Sequence, residues 1–256
     1  MIGLDPDFWV MLSAFSIILV HSIFPLIRRM GGRTVSILNS MSSGFGVTHW
    51  LIFNTDSLYQ YADNLHRKFY QNYTGEFLMF IFLSCAIFGF LFVHGLNTAT
   101  RFLKKHTLKT PDLVYHVKLL ALFLFNYSAS HYIPTSAHKA SSELSLYTVD
   151  CIVTYILADS CLSEEFPEQY NFAGRLFSIL GVMIGILSGY FAPYQEHDWF
   201  MAFLYSFLMG WEMMLIIAIE FSFKDTARHY WTFLFSTLLM LAFLGSYYYV
   251  NWKLLI

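Results

Sequence analysis

The sequence predicts an all-α protein, a polytopic membrane bundle of about eight transmembrane helices. Three observations carry this reading. Apolar residues make up 57% of the chain and charged residues 12%, too little polar surface to hold a soluble domain of 256 residues in water. The apolar residues gather into runs long enough to cross about 30 Å of hydrocarbon at about 1.5 Å per residue. Short polar segments separate these runs, and none is long enough for a second folded unit, so residues 1–256 read as one transmembrane domain.

The first run, near residues 8 to 27, follows the opening MIGLDPDFWV, where Asp5 and Asp7 replace the basic start of a cleavable signal. It is therefore expected to persist as a helix. The second lies near residues 34 to 54 and contains His49, the one histidine well inside a span. The loop from Thr55 to Tyr70 mixes Asp56, Asp63, His66, Arg67 and Lys68 with aromatics, which suits an interfacial segment with a helical patch. The third run, near 76 to 99, ends in TRFLKKHTLKTPD, and the fourth, near 113 to 131, carries Lys118 close to one end. There its stem is expected to snorkel, which gives it no functional weight. The fifth, near 144 to 160 around SLYTVDCIVTYILAD, is the most polar. The sixth, near 174 to 193, holds Gly181, Gly185 and Gly189 at four-residue spacing, a close-packing face and a route to a homo-oligomer. The seventh runs near 199 to 221, and the eighth near 229 to 250 exits through the interfacial aromatics Tyr247, Tyr248, Tyr249 and Trp252.

Basic residues set the orientation, since Lys and Arg are retained on the cytoplasmic side of short loops. Arg28, Arg29, Arg33, Arg101, Lys104, Lys105, Lys109, Arg175, Lys224 and Arg228 fall on odd-numbered connections. Arg67, Lys68, Lys139 and Lys253 fall on the even connections and termini. Both termini are therefore expected on the non-cytoplasmic side, with the sequon Asn72-Tyr73-Thr74 on an outer loop. The near-neutral balance of 15 basic and 17 acidic residues points to no nucleic-acid partner; the lipid bilayer is the expected one. Cys85, Cys151 and Cys161 lack CxxC spacing and read as packing residues.

A local echo links two spans: Ser40-Met-Ser-Ser-Gly44 precedes GVTHWLIF, and Ser206-Phe-Leu-Met-Gly210 precedes WEMMLIIAIE. Inverted repeats of transporters produce such echoes, and so does ordinary small-residue packing. Asp150 and Glu212 lie inside spans, where a charged carboxylate costs at least about 2.5 kcal/mol on insertion scales. Asp150 shares a helix face with Thr154, and Asn126 shares one with Ser130, while Ser128 is offset. If the fourth and fifth spans pack together, these faces form one polar cavity. Two readings stay open: polar contacts that join helices, or a transport or proton site. No HxxxH, HExxH, GxSxG or intramembrane GxGD occurs, so no enzyme is expected and no cofactor is indicated. A catalytic reading needs an imidazole such as His49 within reach of Asp150 or Glu212.

The arrangement resembles the ZIP family of divalent-metal transporters. The likeness rests on the eight-helix pattern, the external termini, the hairpin IILVHSIFPLIRRMGGRTVSILNSMSSGFGVTHWLIF, the glycine face RLFSILGVMIGILSGYF and FLYSFLMGWEMMLIIAIE. The family carries an HNxxxG-type metal motif on its fourth helix and a related acidic motif on its fifth. The nearest matches are Phe125-Asn126-Tyr127-Ser128-Ala129-Ser130, with Phe for the His and Ala for the carboxylate, and Val149-Asp150-Cys151-Ile152-Val153-Thr154, which keeps only the Asp. The resemblance implies Asn126 and Asp150 as candidate ligands of a divalent cation, a weak pair without the usual imidazole and carboxylate partners. The expected function is a membrane transporter-like protein moving a divalent metal or another small solute; the alternative is a non-transporting scaffold or regulator that keeps the fold.

Overall fold

Long apolar stretches with few internal breakers leave the backbone no partner in lipid except itself, and the described residues are helical apart from short turns such as 72–74 and 166–171. A computed structural model describes residues 5–29, 32–68, 72–105, 112–139, 141–191, 199–220 and 230–255. In chain order the helices are α1 (Pro6–Arg29), α2 (Gly32–His49), α3 (Thr55–Lys68), α4 (Gly75–Lys105), α5 (Asp112–Lys139), α6 (Ser141–Glu165), α7 (Phe172–Phe191), α8 (Trp199–Glu220) and α9 (Tyr230–Leu255). A π-helical turn, Trp50–Asn54, joins α2 to α3. Side-chain caps fix several starts. The Asp7 amide donates to Asp5 Oδ1, with Pro6 as the first helical residue, the Phe77 amide donates to Thr74 Oγ1, and the Ala173 amide donates to Asn171 Oδ1.

Five of these helices are long and apolar enough to cross a membrane: Pro6–Arg29, Gly75–Leu103, Asp112–Pro134, Phe172–Phe191 and Trp199–Ala218, with Tyr230–Ser246 as a shorter apolar helix. The protein is thus a multi-span helical membrane protein. Helices α2 and α6 fall short because their inward faces are polar. Asn39, Ser40, Ser42, Ser43, Thr48 and His49 are buried on α2, and Thr148, Asp150, Thr154, Asp159, Ser160 and Ser163 on α6. The outward faces of α4 and α7 show the opposite composition, with Phe80, Ile87, Phe88, Leu91, Leu180, Met183 and Leu187 exposed as a lipid-facing surface would be.

The segment after the second span folds as the amphipathic helix α3. Leu58, Ala62 and Leu65 are buried against Leu78, Phe82, Ala202 and Met209, while Tyr59 is exposed and Arg67 pairs with Asp63 one turn away at 2.8 Å. Lys109, Lys224 and Arg228, used for the orientation, lie outside the described residues, as do the side chains of Lys68, Lys104, Lys139, Lys253 and the aromatics from Tyr247 to Trp252.

Packing divides the long helices into two groups. Helices α1, α5, α6 and α7 pack together, and α2, α4, α8 and α9 form the second group, joined to the first mainly through α2·α6, α6·α8 and α5·α8. The four most extensive pairs are α5·α7, α4·α8, α2·α9 and α1·α6. Exchanging α1 with α7, α2 with α8, α4 with α9 and α5 with α6 turns this set of four into itself. Small residues permit the closest approaches. A methyl group added at Gly181 would lie 2.7 Å from the Phe123 carbonyl, and one at Gly185 would lie 2.5 Å from that of Tyr127. The echoed glycines hold corresponding places: Gly44 of α2 sits against Phe233 and Ser236 of α9, and Gly210 of α8 against Ala86 and Phe90 of α4.

Candidate functional site

Polar residues buried in a membrane bundle must find partners within it, and two of the clusters they form here lie along α6. The first lies at the junction of the two helix groups. His49, at the end of α2, places Nδ1 2.9 Å from Oδ1 of Asp150 on α6. One turn on, Thr154 Oγ1 donates to Glu212 Oε1 of α8 at 2.7 Å. Asn54 Nδ2 approaches Glu212 Oε2 at 3.4 Å, and Asn54 Oδ1 accepts from the Tyr205 hydroxyl at 2.7 Å. The π-helical turn positions Asn54: the extra residue in the turn re-aims the side chains that follow it. Trp50 anchors the same turn by donating from Nε1 to the Met209 carbonyl of α8 at 3.0 Å.

Two small adjoining pockets, which share Ser128, Tyr147 and Tyr205, form a narrow cleft beside this cluster. Its inner part carries the polar residues Asn54, Ser128, Tyr147, Asp150, Tyr205 and Glu212 on a wall that is otherwise apolar, from Phe125, Ala129, Cys151, Leu208 and Met209, and its outer part is lined by Ser57, Tyr61, Tyr132 and Met201 with Ser128, Tyr147 and Tyr205 again. The rings of Tyr61 and Tyr205 meet edge to face, as do those of Tyr132 and Tyr147. All four lie toward one end of the bundle: late in α5, early in α6 and α8, and on α3.

The second cluster lies within the first helix group. His21 Nδ1 of α1 is 2.9 Å from Asp159 Oδ2, and the Tyr170 hydroxyl donates to the other oxygen of the same carboxylate. Asn126 Nδ2 donates to the Ser178 carbonyl at 2.9 Å and lies 3.2 Å from His21 Nε2. Because the Ser178 carbonyl requires a donor, the Asn126 amide is oriented with nitrogen toward His21. Nε2 is then the acceptor, so the neutral imidazole carries its proton on Nδ1, facing Asp159. Burial, followed by the charge of Asp159, holds the Tyr170 phenol well above its ordinary range, so it remains a donor. Tyr155 lies between the clusters, its ring 4.9 Å from that of His21 and 5.7 Å from that of Phe125.

The residues singled out in the sequence are therefore separated. His49, Asp150, Thr154 and Glu212 come together at the junction. Asn126 and Ser130 turn the other way, toward the glycine face of α7, where their Cβ atoms lie beside Gly181 and Gly185. The offset Ser128 faces the cleft instead. Among the described residues, no three His, Cys, Asp or Glu side chains converge to hold a metal ion. The three cysteines are free thiols.

Lys118 departs from expectation. Its side chain does not snorkel; the residue is only 4% exposed, and Nζ donates to Asn97 Oδ1 of α4 at 2.5 Å and to Glu165 at the end of α6. Coverage by Phe166, whose ring centroid is 5.7 Å from Nζ, removes the water that snorkelling needs. His21, Asp159 and Tyr170 were also missed: Asp159 sits at the end of its apolar run and Tyr170 beyond it, while His21 lies as far inside its run as His49 does and was passed over. The serines around Asp159, Ser160 and Ser163, are the signal that the polar face of α6 continues past the run. No protein-family model, curated protein or solved structure matches the chain.

Proposed function

We propose that the chain is an integral membrane transporter that crosses the bilayer eight times with both termini on the non-cytoplasmic side, and that its cargo is a small cation handled at Asp150 and Glu212. One observation carries the reading: two carboxylates, Asp150 and Glu212, are buried at the junction of the two helix groups and line one cleft, with a single imidazole there that pairs with Asp150. Glu212 is held by the neutral donors Thr154 and Asn54. With both carboxylates ionised and His49 protonated, one negative charge stays uncompensated in a low-dielectric setting, at a cost of several kcal/mol. A proton or a cation arriving through the cleft removes that cost. The same cleft admits its replacement.

The ZIP-like pattern of the sequence belongs to this proposal. Its ligand pair does not carry over unchanged, because Asn126 is engaged with Ser178 and His21, and Glu212 takes its place beside Asp150. The site draws on α2 from one set of exchanging helices and on α6 and α8 from the other, and transporters built from inverted repeats hold their cargo at the interface between repeats. The test is uptake into proteoliposomes of a panel of divalent metals and ammonium, with and without a pH gradient, for the wild type, Asp150→Asn and Glu212→Gln. Cation-specific flux that both substitutions abolish supports the proposal. A wild type with no flux above empty vesicles for any cation removes it in favour of a non-transporting scaffold.

A further inference from the structure

A transporter must close one end of its pathway while the other is open, and the packing names a candidate for that closure. The tyrosine-lined cleft opens toward one end of the bundle. At the other end, Lys118 Nζ binds Asn97 of α4 and Glu165 of α6 together. Along α5, Lys118 and Tyr132 are fourteen residues apart, about 21 Å at 1.5 Å per residue. Along α6, Asp150 and Glu165 are fifteen apart, about 22 Å. The two features therefore lie on opposite sides of Asp150.

The Lys118 contact also joins parts that otherwise scarcely meet. Helix α4 packs on α8 and α3 in the second helix group, whereas α5 and α6 belong to the first, and neither packs extensively on α4. The Asn97 to Lys118 bond is thus a side-chain bridge across the gap between groups, and Glu165 supplies the opposite charge. Lys118 is 4% exposed and the Glu165 side chain 29%, so the carboxylate keeps a route to water when the bridge opens. A buried ammonium under an aromatic ring is held firmly while paired and is costly when left alone. That combination suits a closure with two discrete states.

We propose that Asn97, Lys118 and Glu165 form the gate that closes the end of the pathway opposite the cleft, and that the structure captures the protein with this gate shut. The inference rests on the transport reading, but its test does not require flux. The full chain carries Ser128→Cys as a reporter on the cleft wall, with Cys85, Cys151 and Cys161 replaced by serine. It is reconstituted in vesicles of established orientation and treated from either side with a small, membrane-impermeant cationic thiosulfonate. With the gate intact, Ser128→Cys reacts from the cleft side only. Lys118→Met and Glu165→Gln each raise the rate from the opposite side by about tenfold, as expected when a minor open state gains population. The swapped pair Lys118→Glu with Glu165→Lys returns the rate to its original value. Glu165→Gln keeps Lys118 in place and serves where Lys118→Met does not fold.

Rates from the opposite side that stay unchanged in the single variants, or that rise equally in the swapped pair, overturn the gate. The two proposals separate cleanly. Altered labelling without flux for any cation removes the transport reading and leaves a two-state closure; cation flux with unaltered labelling removes the gate alone.

Discussion

Replacing Gly185 by alanine tests the packing that holds the first helix group together. The new methyl would sit 2.5 Å from the Tyr127 carbonyl oxygen, 2.9 Å from Ser130 Cβ and 3.1 Å from the His131 amide nitrogen. Two of these atoms are backbone, so no rotamer change relieves the contact. Restoring an ordinary separation of 3.4 Å from 2.5 Å requires α5 to withdraw from α7 by about 0.9 Å. That movement loosens the contacts at Gly181 and Gly189 as well. Overpacking of this kind costs about 1–3 kcal/mol, and the gain in helix propensity returns at most about 1 kcal/mol. The expected net loss is therefore about 1–2 kcal/mol. Gly95 provides the control, since a methyl there meets nothing within 4 Å and Gly95→Ala should be neutral or stabilising. Reversible unfolding in mixed detergent micelles measures both. A Gly185→Ala protein as stable as Gly95→Ala would refute the close approach of α5 and α7.

Three further outcomes follow from the clusters. His49→Ala leaves Asp150 buried without its imidazole and should lower stability by about 3 kcal/mol, with at least half recovered when Asp150→Asn is added; the same unfolding assay reads this double-mutant cycle. Tyr205→Phe removes the hydroxyl that orients Asn54 and costs about 1 kcal/mol, and the proposed cation site further requires it to raise the KM for uptake more than it lowers the maximal rate. Asn126→Leu strips donors from the Ser178 carbonyl and His21 Nε2 and should cost about 1–3 kcal/mol, whereas Ser128→Ala on the cleft wall should unfold like the wild type.

The sequence exposed the helices because burial in lipid demands long apolar runs: the runs near residues 8 to 27, 76 to 99 and 113 to 131 fall within helices that meet the span criterion, and those near 174 to 193 and 199 to 221 overlap two more. It also exposed Asp150, Thr154, Glu212 and His49, since polar groups at span centres stand out against their surroundings. That His49 reaches Asp150 stood there only as a condition of a catalytic reading, and the approach of Glu212 to the face of Asp150 and Thr154 was not legible. Spacing along one helix fixes a shared face for Asn126 and Ser130, but only the glycine stripe of α7 decides that this face is the one packed away from the cleft. Asn54 was hidden for a different reason: a regular α-helix through Trp50 to Asn54 aims it differently, and the π-helical turn leaves no local mark in the residues. Lys118 was misjudged because snorkelling assumes water beside the helix end, where Asn97, Glu165 and Phe166 stand instead.

The exchange of helix pairs gives the echo between Ser40 to Gly44 and Ser206 to Gly210 a physical role. Each glycine lets its helix approach a neighbour closely, Gly44 toward α9 and Gly210 toward α4, and these two pairs exchange with one another. Pairs that exchange with themselves, α2·α8 and α5·α6, lie between the two halves, and the cluster at Asp150 draws on α2, α6 and α8 of those four helices. The repeat frames the site without repeating its chemistry. In the register of the echo, Glu212 corresponds to Gly46, so the carboxylate has no counterpart on α2, and the imidazole of His49 reaches α6 rather than α8. An arrangement kept only for packing has no need of that asymmetry, because a second small residue at position 212 would pack as Gly46 does. A buried carboxylate stands there instead, beside Asp150 and with neutral donors from α6 and the π-helical turn, and this asymmetry is what uptake by Asp150→Asn and Glu212→Gln puts to the test.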